Sequence, residues 1–169
     1  MKIELKKIKF SEAMSEETNA FTAELFINDK RIGYCKNDGH GGCTDYQANS
    51  PVLRTVIENA EAYCKSLPKV KYGDMERDNS LEDVIDQLLE DWLNAKEQKK
   101  MERKMQTGIL WGKPNSSTYT YLNYKIPLEG LSKTAPRMLQ ERVDQIKAKY
   151  CTGGVVILNT NLEALGIQV

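Results

Sequence analysis

The chain's only histidine, His40, stands in the segment Lys36-Asn37-Asp38-Gly39-His40-Gly41-Gly42-Cys43-Thr44-Asp45-Tyr46. Glycine reaches φ > 0 at little cost and lets a backbone approach a partner closely. The amides of Gly39, Gly41 and Gly42 could therefore close over a phosphate or a protein backbone, with Lys36, Asp38 or His40 supplying charge, a polar contact or a proton. The pattern matches neither the P-loop nor the dinucleotide fingerprint. The bland alternative is a wide hairpin connection built on Asn-Asp-Gly turn chemistry.

A histidine-dependent reaction has to use His40, paired with Cys35 or Cys43 and oriented by Asp38 or Asp45. Catalytic groups rarely all come from one short loop, and no Gly-x-Ser-x-Gly elbow occurs. Cys35, His40 and Cys43 could also offer metal ligands. A closed zinc site then needs a fourth from a distance, Cys64 or Cys151, and the paired short spacings of zinc sites are missing. No metal or other cofactor is expected. Asp74, Glu76 and Asp78 alternate as calcium ligands can, but the EF-hand glycine is absent and Ile85 stands where its bidentate acid belongs.

A second constellation is aromatic. Trp111, Tyr119, Tyr121 and Tyr124, interleaved with Lys113 and Lys125, could stack bases beside positive charge. Tyr119 and Tyr121 fall on one face of a strand and Tyr124 on the other; ordinary sheet packing is the competing explanation. Lys96, Lys99, Lys100, Arg103 and Lys104 form a contiguous helical stripe that could meet phosphates or an acidic protein, although Glu97 and Glu102 interrupt it.

These groups must be held by elements that the sequence marks. Residues 2–10, 21–27 and 30–35 read as strands, the last two joined by Asn28-Asp29 as a two-residue turn. Residues 43–47 add a short strand. Ser50-Pro51 opens a helix as N-cap and first helical residue, with Val52, Val56, Ile57, Ala60, Tyr63 and Cys64 on its apolar face. Residues 69–79 read as a polar connection. Ser80 with Asp83 makes a capping-box start to a long helix whose stripe is Leu81, Val84, Ile85, Leu88, Trp92 and Ala95. Its second half is charged, with Met101 and Met105 left to meet a partner helix, and Gly108 ends it. Strands at 109–111 and 118–126 follow, then a connection at 127–133. Thr134 caps a last helix with Leu139, Val143, Ile146 and Tyr150 inward. After Gly153-Gly154 comes a buried strand at 155–158, and then a tail or helical turn.

The order predicts an α+β fold of antiparallel sheets with three main helices, in a single domain that could subdivide into 1–68 and 80–169. The 169 residues carry 24 basic and 24 acidic side chains, so no global charge draws the chain to nucleic acid. No apolar run is long enough for a membrane span, and the N-terminus lacks a signal-peptide pattern. A cytoplasmic protein with free thiols at its four cysteines is expected.

Three stretches, 37–44, 80–86 (Ser-Leu-Glu-Asp-Val-Ile-Asp) and 157–162 (Ile-Leu-Asn-Thr-Asn-Leu), together resemble small accessory proteins of bacteriophages and bacterial mobile elements. The resemblance implies action by binding, either to a host protein, such as a defence component, or to a nucleotide signal. The expected site is Lys36, Asp38, Gly39, His40, Gly41 and Gly42, with Lys113, Tyr119 and Tyr121 as the second. The alternatives are a phosphoesterase-like enzyme using His40 and a small nucleic-acid-binding module. A homodimer through the long helix or a sheet edge is a further expectation.

Overall fold

The computed structural model describes residues 1–73, 75–114, 116 and 118–169. The chain is α+β, with antiparallel pairing throughout its sheets. It forms two compact units, Met1–Asn94 and Ala95–Val169.

In the first unit a four-stranded sheet has the order β1(Ile3–Phe10), β2(Phe21–Ile27), β3(Lys30–Asn37), β4(Asp45–Ala48). Asn28 and Asp29 both take φ > 0 (47° and 65°), the two-residue turn the sequence predicts between β2 and β3. Alternation puts Phe21, Ala23, Leu25 and Ile27 of β2 on the core face, with Ile32 and Cys35 of β3. Helix α1(Pro51–Lys65) and the first turns of α2(Leu81–Thr107) supply Ile57, Ala60 and Cys64, and Leu81, Ile85 and Leu89, to the same core.

The capping box of α2 is formed. Asp83 accepts from the backbone N–H of Ser80 at 2.9 Å, and Ser80 Oγ accepts from the N–H of Asp83 at 3.1 Å. Arg77 adds a hydrogen bond to Asp83 at 2.7 Å. These bonds hold the Asp83 carboxyl below its ordinary pKa, the Arg77 contact most strongly.

Several expectations in this unit are corrected. The 69–79 connection holds a small hairpin, β5(Val70–Tyr72) and β6(Met75–Arg77). Val52 is 84% exposed, because it sits in the first turn of α1 before the helix reaches the sheet. Ser50 is at the N-cap position, but its side chain makes no capping bond. On α2, Leu89 replaces Ala95 in the buried stripe; Ala95 is exposed.

In the second unit a three-stranded sheet has the order β8(Tyr119–Asn123), β7(Gly108–Gly112), β9(Val156–Ile157). Its core joins Ile109 to Leu128 and Leu131 of α3(Leu128–Thr134), and to Leu139, Val143 and Ile146 of α4(Pro136–Tyr150). Leu162 and Ile167 complete it. Helix α3 forms where the sequence reads as a connection, at 127–133. Thr134 belongs to α3, and Ala135 holds the N-cap position of α4 without a side-chain bond. The last strand is two residues long, and Val156 on it is exposed.

Gly108 ends α2 for a reason other than a left-handed cap, since it is not among the residues with positive φ. A Cβ there would strike the Tyr121 ring and the Leu122 carbonyl, so the glycine is fixed by the crossing of β8. Met105 is buried, which removes it from any partner helix.

Candidate functional site

The glycine loop follows β3 and is folded around Asn37. Asn37 Oδ1 accepts from the Gly39 N–H at 2.9 Å and from Thr18 Oγ1 at 2.9 Å, while its Nδ2 donates to the Gly42 carbonyl at 2.9 Å. Gly39 is buried at φ 93°, and its carbonyl accepts from the amides of Glu16, Glu17 and Thr18 at 3.0, 3.0 and 3.2 Å. The His40 amide turns to Asp38 Oδ1 and the Gly41 amide to Thr18 Oγ1. Two of the three glycine amides expected to greet a ligand, those of Gly39 and Gly41, are thus committed inside the chain. What the loop presents outward is side chains: Lys36, Asp38 and His40 are all exposed. His40 Nδ1 lies 3.2 Å from Glu16, itself exposed.

The C-terminal side of the loop is tied to α2. The buried Thr44 donates its amide to Glu82 at 2.8 Å and its hydroxyl to Asp86 at 2.6 Å. Glu82 and Asp86 are one helical turn apart, so one threonine engages both. Desolvation raises the Asp86 pKa, while the Thr44 bond works in the opposite direction. Cys35 lies in the core, where burial pushes its thiol up to about 12, and burial likewise raises Cys64. Neither is a thiolate near neutrality. Cys43 is exposed. Among the described residues, no three of His, Cys, Asp and Glu come together as a metal site. Of the calcium-like trio, Asp74 lies outside the described residues, and Glu76 and Asp78 are exposed beside Lys71 and Lys69.

The aromatic constellation divides as the pleat requires. Tyr119 and Tyr121 pair with Gly112 and Leu110 on one face of the second sheet; Trp111 pairs with Thr120 on the other. The Tyr face is already occupied. Lys104 Nζ donates to Tyr119 Oη at 3.0 Å and lies 4.8 and 5.5 Å from the Tyr119 and Tyr121 ring centres. Thr107 Oγ1 and Tyr121 Oη are 2.9 Å apart. A base could not stack flat on that face without displacing Lys104. Tyr124 packs into the second core. In the basic stripe, Lys104 is held as described and Lys100 pairs with Glu97 at 3.1 Å.

The other side of the same segment is open. A cleft of about 550 Å³ is lined by Trp111, Lys113, Ser116, Thr118, Tyr119, Thr120, Tyr150 and Val155. Its aromatic wall is the stack of Trp111 on Tyr150, with ring centres 5.4 Å apart and planes at 23°. Lys149 Nζ lies 5.1 Å from the Tyr150 ring centre. Gly153 and Gly154, at φ 62° and 87°, reverse the chain after α4 and return it to β9. Lys113 and Tyr119 of the expected second site both line this cleft, although the Tyr119 ring lies with Tyr121 under Lys104 on the opposite face. Tyr150, which the sequence reads as a core residue, lines this cleft instead. Its signal was its place at the last turn of α4, where a helical stripe outruns the core.

Comparison of the chain with protein-family models, curated protein sequences and solved structures returns no match.

Proposed function

We propose that this chain is a non-enzymatic binding protein, a phage or mobile-element factor that takes a flat, anionic, nucleotide-type ligand in the Trp111–Tyr150 cleft. The observation that supports the reading is the stacked aromatic wall beside Lys113 and the rim hydroxyls of Ser116, Thr118 and Thr120. Such a surface offers a π-face to a base and a cation with hydroxyl donors to a phosphate. The first-unit loop supports an enzymatic reading less well. His40 is exposed beside an exposed Glu16. Enzymes tune a general base by burial and by its neighbours.

Fluorescence titration tests the proposal. The chain has two tryptophans, so Trp92→Phe provides a background in which Trp111 reports alone. A panel of nucleoside mono- and triphosphates and cyclic dinucleotides is added. A binding member gives saturable quenching, and Tyr150→Ala weakens it by at least about fivefold, as expected for one base–aromatic stack. Lys113→Ala weakens phosphorylated ligands more than the matching nucleoside. His40→Ala leaves affinity unchanged and reveals no lost turnover. Absence of quenching and of thermal stabilisation across the panel rejects the reading.

A further inference from the structure

The sheet of the first unit has two edges, and they are built differently. Edge strand β1 carries Lys6, Lys7 and Lys9, and its register slips between Lys6 and Lys9 at a bulge where Lys7 takes φ 51°. Lysines and bulges keep an edge from pairing with another chain. Strand β4, Asp-Tyr-Gln-Ala, has no lysine and no proline, and its register against β3 is unbroken from Gly33↔Ala48 to Lys36↔Asp45. The Asn49 amide donates to the Ile32 carbonyl at 2.9 Å, which sets the phase of the ladder. Asn49 and Gln47 turn their main-chain groups toward β3, so the N–H and C=O of Tyr46 and Ala48 point away from it. Among the described residues no other strand pairs with them.

Beside this open edge lies a groove of about 670 Å³. Tyr46 and Ala48 form its strand wall. Arg54, Ile57, Glu58 and Glu61 form its helix wall, at the i, i+3, i+4, i+7 spacing that places them along one side of α1. Tyr46 Oη donates to Glu61 at 2.9 Å, which holds the ring against the wall. The helix wall carries two carboxylates against one guanidinium; Arg54 lies 3.7 Å from Glu58 in an exposed pair, and the net negative charge of the wall suits a basic side chain.

We propose that β4 is a docking edge for an extended peptide segment of another protein. The peptide adds as a further strand on Tyr46 and Ala48 and sets a lysine or arginine against Glu58 and Glu61. In such strand addition the main-chain bonds supply affinity and alternate side chains in the groove supply specificity. Only two residues of β4 face outward, so the groove contacts carry much of the selectivity.

To test this, the full chain is panned against a displayed library of random peptides. The enriched sequence is synthesised in ordinary form and with alternate backbone nitrogens methylated. The expected peptide alternates apolar and polar residues, contains a basic side chain, and protects the Tyr46 and Ala48 amides from hydrogen exchange. The methylated form does not bind. Ala48→Pro removes an amide that β3 does not use and weakens binding about tenfold or more. Glu58→Lys changes an exposed side chain, keeps the native circular dichroism, and turns the preference toward acidic peptides. The proposal is overturned if no peptide is enriched, if the protected amides lie elsewhere, or if the methylated form binds equally. It is also overturned if the peptide-free protein has twice the 19.2 kDa mass with Tyr46 and Ala48 already protected, since the edge then belongs to a second copy.

Discussion

Each unit contains a loop organised by one asparagine whose side-chain amide stands in for backbone, yet the two loops differ in what surrounds that amide. In the glycine loop, Asn37 is half-buried and bridges Thr18, Gly39 and Gly42. After β9, Asn159 is buried; its Oδ1 accepts from the Leu110 N–H at 2.7 Å and its Nδ2 donates to the Gly108 carbonyl at 2.9 Å. It continues the ladder on β7 with side-chain atoms where the two-residue β9 has stopped pairing. Asn161 adds a bond from its Nδ2 to the Met105 carbonyl at 2.9 Å. Water can replace the partners of the first amide but has little access to those of the second. Polar composition marks both stretches as loops, and in each the asparagine amide is spent internally, so that amide is scaffold rather than a ligand contact.

The Asn159 clasp is the costlier of the two to remove. Asn159→Leu leaves the Leu110 N–H and the Gly108 carbonyl buried without partners, at roughly 1–3 kcal/mol for each group. The second unit is expected to lose about 2–5 kcal/mol in chemical denaturation, and the Leu110 amide to lose its exchange protection. A loss below about 1 kcal/mol would mean that solvent reaches this corner, and the contrast with Asn37 would fail.

Within the glycine loop the effects are graded. At Gly39, φ is 93° and a Cβ would strike the Met14 carbonyl, so Gly39→Ala should cost more than the roughly 1 kcal/mol of a simple glycine-to-alanine mismatch. Gly42 has no positive φ and open space at its Cβ position, so Gly42→Ala should stay within about 0.5 kcal/mol. Asn37→Ala falls between them at about 1 kcal/mol, because the freed groups find water. Urea denaturation of the three variants gives the ranking. Equal costs at Gly39 and Gly42 would show that the loop is not held as described.

These contrasts also explain what the sequence could disclose. Strands β2 and β3, their turn and the capped start of α2 were legible because each rests on neighbours in sequence: alternation, paired positive-φ residues at Asn28 and Asp29, and Ser80 three residues before Asp83. Asn159 was not, because its partners Gly108 and Leu110 lie about fifty residues away and asparagine in a short polar run reads as turn. Gly108 misled for the same reason. Its position suggested a cap, but the demand for glycine comes from Tyr121 across the sheet. The aromatic candidates were named as a group, and only pairing with β7 shows that Trp111 faces one way and Tyr119 and Tyr121 the other. Lys104, which covers the tyrosines, was visible in sequence only as part of a charged stripe.

The two loops also differ, more mildly, in their response to pH. The clasp at Asn159 is built of amides and has nothing to titrate, whereas the glycine loop is anchored through Thr44 to Glu82 and Asp86. Asp86 is raised above the ordinary value of 3.8 by desolvation. In the folded chain it therefore holds its proton at pH values where the unfolded chain has released it. The associated stability is fully present below the ordinary value and is lost as pH rises through the folded one. Asp83 runs the other way: its depressed pKa contributes stability above the ordinary range that is lost as pH falls through the folded value. Thr44→Val removes the hydrogen bond that opposes desolvation at Asp86, so the Asp86 titration should move to higher pH while that of Asp83 stays in place. Carbon-detected titration of the aspartate carboxyls measures both. An unchanged Asp86 midpoint in Thr44→Val would show that the threonine hydroxyl does not bear on that carboxylate, and would leave Glu82 as the anchor of the glycine loop on α2.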